Sequence, residues 1–315
     1  MYERFIQEGR DPKAIALFQR RDISVARWRK AHVTHQRTLK HVQSTLRSLG
    51  AKITILRGPG LVFDASDASL VVTVGGDGTL LAASHHVGAI PILGVNSSPE
   101  HSVGFFCPAH IGNLEPSLKA ALDGTLPSVL LSRMQVSVNS RICSRRVLNE
   151  ALFCHAIPAA TSRYVVSFAD QTEEQRSSGV WVSTAAGSTG AARSAGGKVL
   201  PFASRKLQLV VREPYLESRG TPRRPLALDR IVFAPPDTLT LLSKMEDARL
   251  YLDGPYRQIP VGLGDRVVCS VSDEPLQVFG LGHRRTAHAP DSGKPARAHA
   301  KPSARKKREQ GPARG

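Results

Sequence analysis

The segment Leu70-Val71-Val72-Thr73-Val74-Gly75-Gly76-Asp77-Gly78-Thr79-Leu80-Leu81-Ala82-Ala83 changes character halfway along. Its first five residues are apolar or β-branched, the composition of a buried strand. Three glycines around one aspartate then call for a tight turn, and the run from Leu80 to Val87 reads as a helix. Glycine lets backbone amides approach an anion closely because no Cβ intervenes. The helix that follows aims its positive end at the same place. Asp77 sets a carboxylate inside this anion-friendly turn. A phosphate cradle that holds its own proton acceptor suggests phosphoryl transfer to a hydroxyl group. The competing reading, a hairpin turn at Asp-Gly, fits poorly because a helix rather than a second strand follows. The spacing matches neither a phosphate loop ending in Gly-Lys-Ser/Thr nor the G-x-G-x-x-G dinucleotide fingerprint.

Outward from this turn, strands and helices alternate. Leu39, Val42, Leu46 and Leu49 recur at helical spacing until Gly50, and residues 1–50 read as helical. A short strand is expected at Ile53–Leu56, another at Ile90–Val95 ending at Asn96, and a helix at Ile111–Leu122. This alternation predicts an α/β fold, with a doubly wound parallel-sheet domain over residues 1–127. Past Pro127 helical periodicity nearly vanishes. Short strands are expected at 129–138, 147–154, 163–169, 179–183, 207–212, 231–233, 239–242, 248–252 and 266–272. Residues 128–283 therefore read as a mainly antiparallel β domain. Ligands favour the crevice between two such domains and the carboxyl ends of parallel strands, where the 75–79 turn lies.

The chain of 315 residues, 41% hydrophobic, is long enough for a substantial core and carries a net charge of +17. Ten Lys/Arg against Asp291 and Glu309 place +8 of that charge in residues 284–315. This stretch has almost no apolar residue larger than Ala, so it is expected to be a disordered, solvated tail. Nucleic-acid contact through Arg305-Lys306-Lys307-Arg308 is the lesser alternative. Cys107, Cys143, Cys154 and Cys269 form no C-x-x-C pair, which favours free thiols in a reducing compartment. No apolar stretch reaches the ~18 residues of a membrane helix. The N-terminal thirty residues, with Glu3, Glu8, Asp11 and Asp22, lack a signal-peptide core. A cytoplasmic protein that does not cross a membrane is expected.

Three later motifs could carry chemistry. Asn149-Glu150 interrupts an apolar strand, and a carboxamide beside a carboxylate can bond a ribose diol or a base edge. Successive strand residues face opposite sides, so at least one of the pair points inward or into a cleft. The alternative is a polar strand residue facing solvent. Ser183 to Ser188, then Thr189-Gly190 and Ser194-Ala195-Gly196-Gly197, make a loop of small residues against which a flat ligand could lie. Asp253-Gly254 ends a strand and by itself marks a chain reversal. His85-His86, adjacent on the helix after the cradle, reads as satisfied or solvated rather than metal-binding.

In order, these pieces resemble the NAD kinase family. The resemblance rests on Gly75-Gly76-Asp77-Gly78-Thr79, Asn149-Glu150, Gly187-Ser188-Thr189 with Ser194 to Gly197, and Asp253-Gly254, and spans roughly residues 30–281. Gly94-Val95-Asn96, Pro99 to Ser102, Gly104, Ser177-Ser178-Gly179 and Val210 to Pro214 look like the mitochondrial-type branch. The resemblance implies transfer of a phosphoryl group from ATP or polyphosphate to the 2′-hydroxyl of the adenosine ribose of NAD. It implies a homo-oligomer. Phosphoryl transfer itself calls for charge neutralisation by backbone amides and Mg²⁺, and no residue is read as a metal ligand of the protein's own. The resemblance also implies that Asp77 receives the hydroxyl proton and that Gly75, Gly76, Gly78 and Thr79 cradle phosphate. Asn149, Glu150 and Asp253 belong to the implied binding set, with Thr189, Gly190 and Ser194 along the adenosine. The chain departs from the family pattern at Gly190-Ala191, where an alanine and a tyrosine are usual, at Ala185-Ala186 and at Pro255. No first strand precedes residue 30. A lipid kinase of the diacylglycerol or sphingosine type shares the cradle, and a non-catalytic nucleotide sensor is the other alternative.

Overall fold

The computed structural model describes Gly9 and residues 11–58, 61–215 and 225–282. The basic stretch read as a tail, 284–315, lies outside the described residues. The first sheet has its centre at β2 (Ile92–Asn96), buried at all five positions. β2 pairs in parallel with β1 (Val71–Gly75), with β17 (Leu276–Phe279) and with the two-residue β3 (Ala109–His110). β4 (Ser128–Leu131) completes the sheet, antiparallel to β17.

Burial on both faces of β2 follows from helices on both sides. α2 (Trp28–Ser48) and α4 (Leu114–Leu122) cover one face, where Val42, Leu114 and Leu118 pack with Leu93 and Val95. α3 (Asp77–Ser84) covers the other, where Leu80 packs with Ile92, Val129 and Val278. α1 (Pro12–Gln19) starts at Asp11, whose carboxylate accepts the amides of Lys13 and Ala14.

The remaining strands form two six-stranded antiparallel sheets. One runs β6 (Arg141–Val147), β5 (Met134–Val138), β16 (Arg266–Val271), β13 (Leu239–Ser243), β8 (Ser162–Phe168), β9 (Gln171–Ser177). The other runs β12 (Arg230–Phe233), β11 (Leu207–Val211), β10 (Val180–Thr184), β7 (Glu150–His155), β14 (Ala248–Leu252), β15 (Gln258–Val261). Alternate residues from both, including Val136, Phe153, Tyr164, Val182, Leu209, Leu241 and Leu250, fill the core between them. The expected architecture, a parallel α/β sheet followed by antiparallel β sheets, is the one observed. β4 and β17, from the 128–283 stretch, return to the first sheet, and the described residues fall in one compact unit.

Several local expectations need correction. Ile53–Leu56 is irregular and largely exposed instead of a strand, because among the described residues no strand pairs with its backbone. The stretch read as one strand at 129–138 is two, β4 and β5, broken at Ser132-Arg133. β9, Gln-Thr-Glu-Glu-Gln-Arg-Ser, escaped the hydrophobic pattern because it is an edge strand. β15 escaped for the same reason and carries Pro260, which an edge tolerates.

Candidate active site

The turn between β1 and α3 is built as the sequence demands, but its glycines do different jobs. A Cβ on Gly75 would lie 2.1 Å from Thr79 Oγ1, and one on Gly76 would lie 2.7 Å from Ser102 Oγ. The protein's own side chains fill those two spaces. Only at Gly78, exposed on the first turn of α3, would a Cβ meet nothing within 4 Å. The open side of the cradle is therefore at Gly78 and the exposed Thr79.

Asp77 is the first residue of α3, where the helix dipole favours its negative charge. Its Oδ2 accepts the Phe105 amide at 2.9 Å and its Oδ1 the Phe106 amide at 2.7 Å. Each oxygen keeps a second lone pair. The loop that delivers those amides is itself tied down. Asn96 Nδ2 donates to the Ser102 carbonyl, Asn96 Oδ1 accepts from Ser98 N, and Ser97 N donates to the Gly75 carbonyl. Phe105 and Phe106 pack edge-to-face, with Phe202 against both. Burial, with the Asp77 charge adding to it, pushes the neighbouring Cys107 thiol up to about 12.

The second half of the site follows from strand register. β7 runs between β10 and β14, with Ser183 opposite Glu150 and Leu252 opposite Ala151. One step further, Asp253 falls beside the start of β7, and its amide donates to the Glu150 carbonyl at 2.9 Å. Its backbone turns at φ 51°, folding the carboxylate back over the strand. There Oδ2 accepts the Leu148 amide at 2.8 Å, and Oδ1 accepts those of Asn149 and Glu150 at 2.7 and 3.1 Å. His85 Nε2 lies 2.9 Å from Oδ2, at ion-pair distance though off the line of a hydrogen bond. Both side chains are sealed, 4% and 2% exposed.

The small-residue loop docks on the same strand. Thr184 donates its amide to the Asn149 carbonyl and its hydroxyl to the Leu148 carbonyl. A Cβ on Gly187 would sit 2.2 Å from the Asn149 carbonyl oxygen, so only glycine fits there. Leu80, Phe106, Leu148 and Ala186 share one buried cluster, which brings the cradle, the Asn-Glu pair and the small-residue loop together. Thr189 closes a 3₁₀ turn, Gly190 is exposed, and Ser194, also exposed, ends α5 (Ala191–Ser194).

Three buried polar atoms on these neighbouring positions have no protein partner: Asn149 Oδ1, Glu150 Oε2 and Ser183 Oγ. Such atoms cost about 1–3 kcal/mol each unless something bonds them, so this strand start carries unmet hydrogen-bonding capacity. Burial, with the Asp253 charge adding to it, raises the Glu150 carboxyl to about 7. Glu150 also borders a cavity of about 420 Å³, whose lining includes Leu152, Trp181, Arg212, Tyr251 and Gly254. The Arg212 guanidinium lies 5.7 Å from the Trp181 ring centre.

Sequence reasoning missed two contributors. The Phe105 and Phe106 amides carry no side-chain signal, since backbone donors are supplied by every residue but proline. His85 was read as a satisfied or solvated histidine, and its buried partner lies 168 positions away in sequence. Among the described residues no group of three or more His, Cys, Asp or Glu is placed to hold a metal ion.

A parallel-sheet nucleotide fold whose strand-to-helix turn carries a carboxylate, joined to antiparallel sheets with a polar strand start, defines a nucleotide phosphotransferase class. Residues 16–122 match the family model of the ATP-NAD kinase N-terminal domain. Over 264 residues the chain is 35% identical to a probable NADH kinase of Oryza sativa subsp. japonica, covering 77% of this chain and 80% of the rice protein. It is 34% identical to the NADH kinase of Arabidopsis thaliana, covering 79% and 84%. The chain belongs to the NAD kinase family. In the solved structures, an ATP complex of an NAD kinase from Archaeoglobus fulgidus shares the fold with TM-score 0.62 at 23% identity, covering 76% of this chain and 88% of that one.

Proposed function

We propose that this protein transfers the γ-phosphoryl group of ATP to the 2′-hydroxyl of the adenosine ribose of NAD(H). The observation that carries this reading is the joining of the motifs. Asp253 gathers the amides of Leu148, Asn149 and Glu150, while α3 holds Asp77 in the amides of Phe105 and Phe106. Membership of a family whose relatives are pyridine-nucleotide kinases supports the choice of acceptor over a lipid or a silent sensor.

The donor's terminal phosphate would lie at the open face of Gly78 and Thr79, with Mg²⁺ arriving as part of the nucleotide substrate. Asp77 accepts the ribose hydroxyl's hydrogen bond on a lone pair that the two amides leave free. As the ribose oxygen bonds to phosphorus and the bond to the leaving ADP breaks, the proton passes to Asp77. Such a reaction depends mainly on positioning and on stabilising spread-out charge. The unpartnered oxygens of Asn149, Glu150 and Ser183 are suited to the acceptor's hydroxyl and amino groups. The cavity bordered by Glu150 supports a dinucleotide that continues along β7. Four free thiols support a reducing compartment such as the cytoplasm.

A coupled assay for 2′-phosphorylated dinucleotide, run with ATP or polyphosphate as donor and NAD or NADH as acceptor, tests the reading. Product is expected with MgATP and at least one acceptor. Absence of product from all four pairings, using folded protein, would overturn it.

A further inference from the structure

We infer that His85 is a positioning residue that sets the distance between the phosphoryl-acceptor strand and the catalytic carboxylate, through its contact with Asp253. The inference rests on the proposed assignment of Asp77 and the Asn149-Glu150 strand start.

α3 is a short strut. Its eight residues span about 12 Å, with Asp77 at the first position and His85 immediately after the last. At the first end, the Asp77 carboxylate is clasped by the Phe105 and Phe106 amides. At the other, the His85 imidazole meets the carboxylate that organises Leu148, Asn149 and Glu150. One helix thus links the proton acceptor to the amides that begin β7.

The far end of α3 is also held by contacts that do not involve the imidazole. Arg133, wholly buried, donates from Nη1 to the carbonyls of Ser84 and Val87 at 3.0 and 2.8 Å. It also donates from Nε to the Glu274 carbonyl at 2.5 Å. Arg146 reaches the His85 carbonyl at 3.3 Å and pairs with Glu274 at 2.6 Å. These cations suit the negative end of the helix and fasten its backbone to β5, β6 and the approach to β17. Only the imidazole reaches from α3 to the Asp253 carboxylate among the hydrogen bonds and ion pairs of the described residues. Removing it leaves the helix anchored but lets Asp253, and the three amides it orders, shift relative to Asp77. Shifts of about 1 Å in a reacting pair can cost on the order of 10²-fold in rate.

The test compares His85→Ala, His85→Gln and His85→Asn with the unchanged protein. The Gln amide nitrogen reaches about as far as imidazole Nε2, whereas the shorter Asn does not. His85→Ala and His85→Asn are expected to lower kcat/KM for the dinucleotide about 10–100-fold, leaving KM for ATP unchanged. His85→Gln should recover most of that loss. A purely structural role would lower Tm equally in Gln and Asn and leave the kinetic constants of the folded fraction intact, which would overturn the inference. Wild-type-like kinetics in folded His85→Ala would overturn it as well. If the unchanged protein phosphorylates no dinucleotide, the functional reading is what fails. The strut is then read by amide hydrogen exchange, which His85→Ala should accelerate at Leu148–Glu150, and unchanged exchange there would refute it.

Discussion

Two of the molecule's Asp-Gly turns perform opposite tasks with the same two residues. At Asp77-Gly78 the carboxylate takes two amides, the glycine faces open space, and the turn starts a helix at a half-exposed position. At Asp253-Gly254 the carboxylate takes three amides and lies against a buried imidazole. The first retains free lone pairs at a half-exposed position. The second spends its charge inside the protein to hold the start of β7 in place. A carboxylate's role is thus decided by which of its lone pairs remain accessible, and the residue type alone does not reveal that.

The sharpest way to break this comparison is to exchange each acid for a neutral group. Asp77→Asn should cut kcat by about 10²–10⁴-fold, the usual worth of a positioned proton acceptor, with KM for the dinucleotide little changed and Tm lowered modestly, because the new amide nitrogen cannot accept one of the Phe105 and Phe106 amides. Steady-state kinetics beside thermal melts would show the split, and near-normal kcat would remove Asp77 from the chemistry. Asp253→Ala should do the reverse and damage the fold first. It strands the Leu148, Asn149 and Glu150 amides, each costing about 1–3 kcal/mol when left unsatisfied, so a loss of at least about 3 kcal/mol is expected. Denaturant titration would measure it, and a change under about 1 kcal/mol would mean the turn is not the anchor described here.

Glu150, beside the cavity, also leaves a pH signature. The folded Glu150 carboxyl is raised to about 7, while an unfolded carboxyl titrates at 4.5. Between those values the folded chain binds the extra proton, so stability should fall as pH rises through that window. Glu150→Gln should flatten this decline in urea midpoints measured from pH 4.5 to 7, and an unchanged slope would contradict the burial of Glu150.

The mildest contrast lies in two glycines with positive φ. Gly104 sits at φ 61°, and a Cβ there would fall 2.1 Å from Asn96 Nδ2, the side chain that shapes the loop delivering amides to Asp77. Gly104→Ala should therefore lower kcat as well as stability. Gly254, at φ 112°, has nothing within 4 Å of its would-be Cβ. Gly254→Ala should cost backbone strain, about 1–3 kcal/mol, and leave kcat intact, with any kinetic loss falling on KM for the dinucleotide because Gly254 lines the cavity beside Glu150. Equal kinetic losses in both would show that the two turns are not separable.

Much of this arrangement could be read in the chain beforehand. The β1–turn–α3 unit and β2 announced themselves because an apolar run, a glycine cluster and a helical run are local signals. The β half was equally legible wherever strands alternate apolar and polar residues, as in Ala248–Leu252. Edge strands β9 and β15 were not, because a strand half open to water needs no apolar face. Ile53–Leu56 misled for the opposite reason, having strand composition without a strand to pair with.

By itself the sequence determined the alternation of elements, the turn that carries Asp77 and the family to which the chain belongs, since each is written in contiguous residues and their order. Only the tertiary structure decided that Asp253 serves the start of β7, that His85 reaches it, and that Asp77 answers to the amides of Phe105 and Phe106. Hydrogen bonds from backbone amides leave no trace in residue identity, and partners separated by 28 to 168 positions meet only after strand register and helix packing have fixed where each one lies.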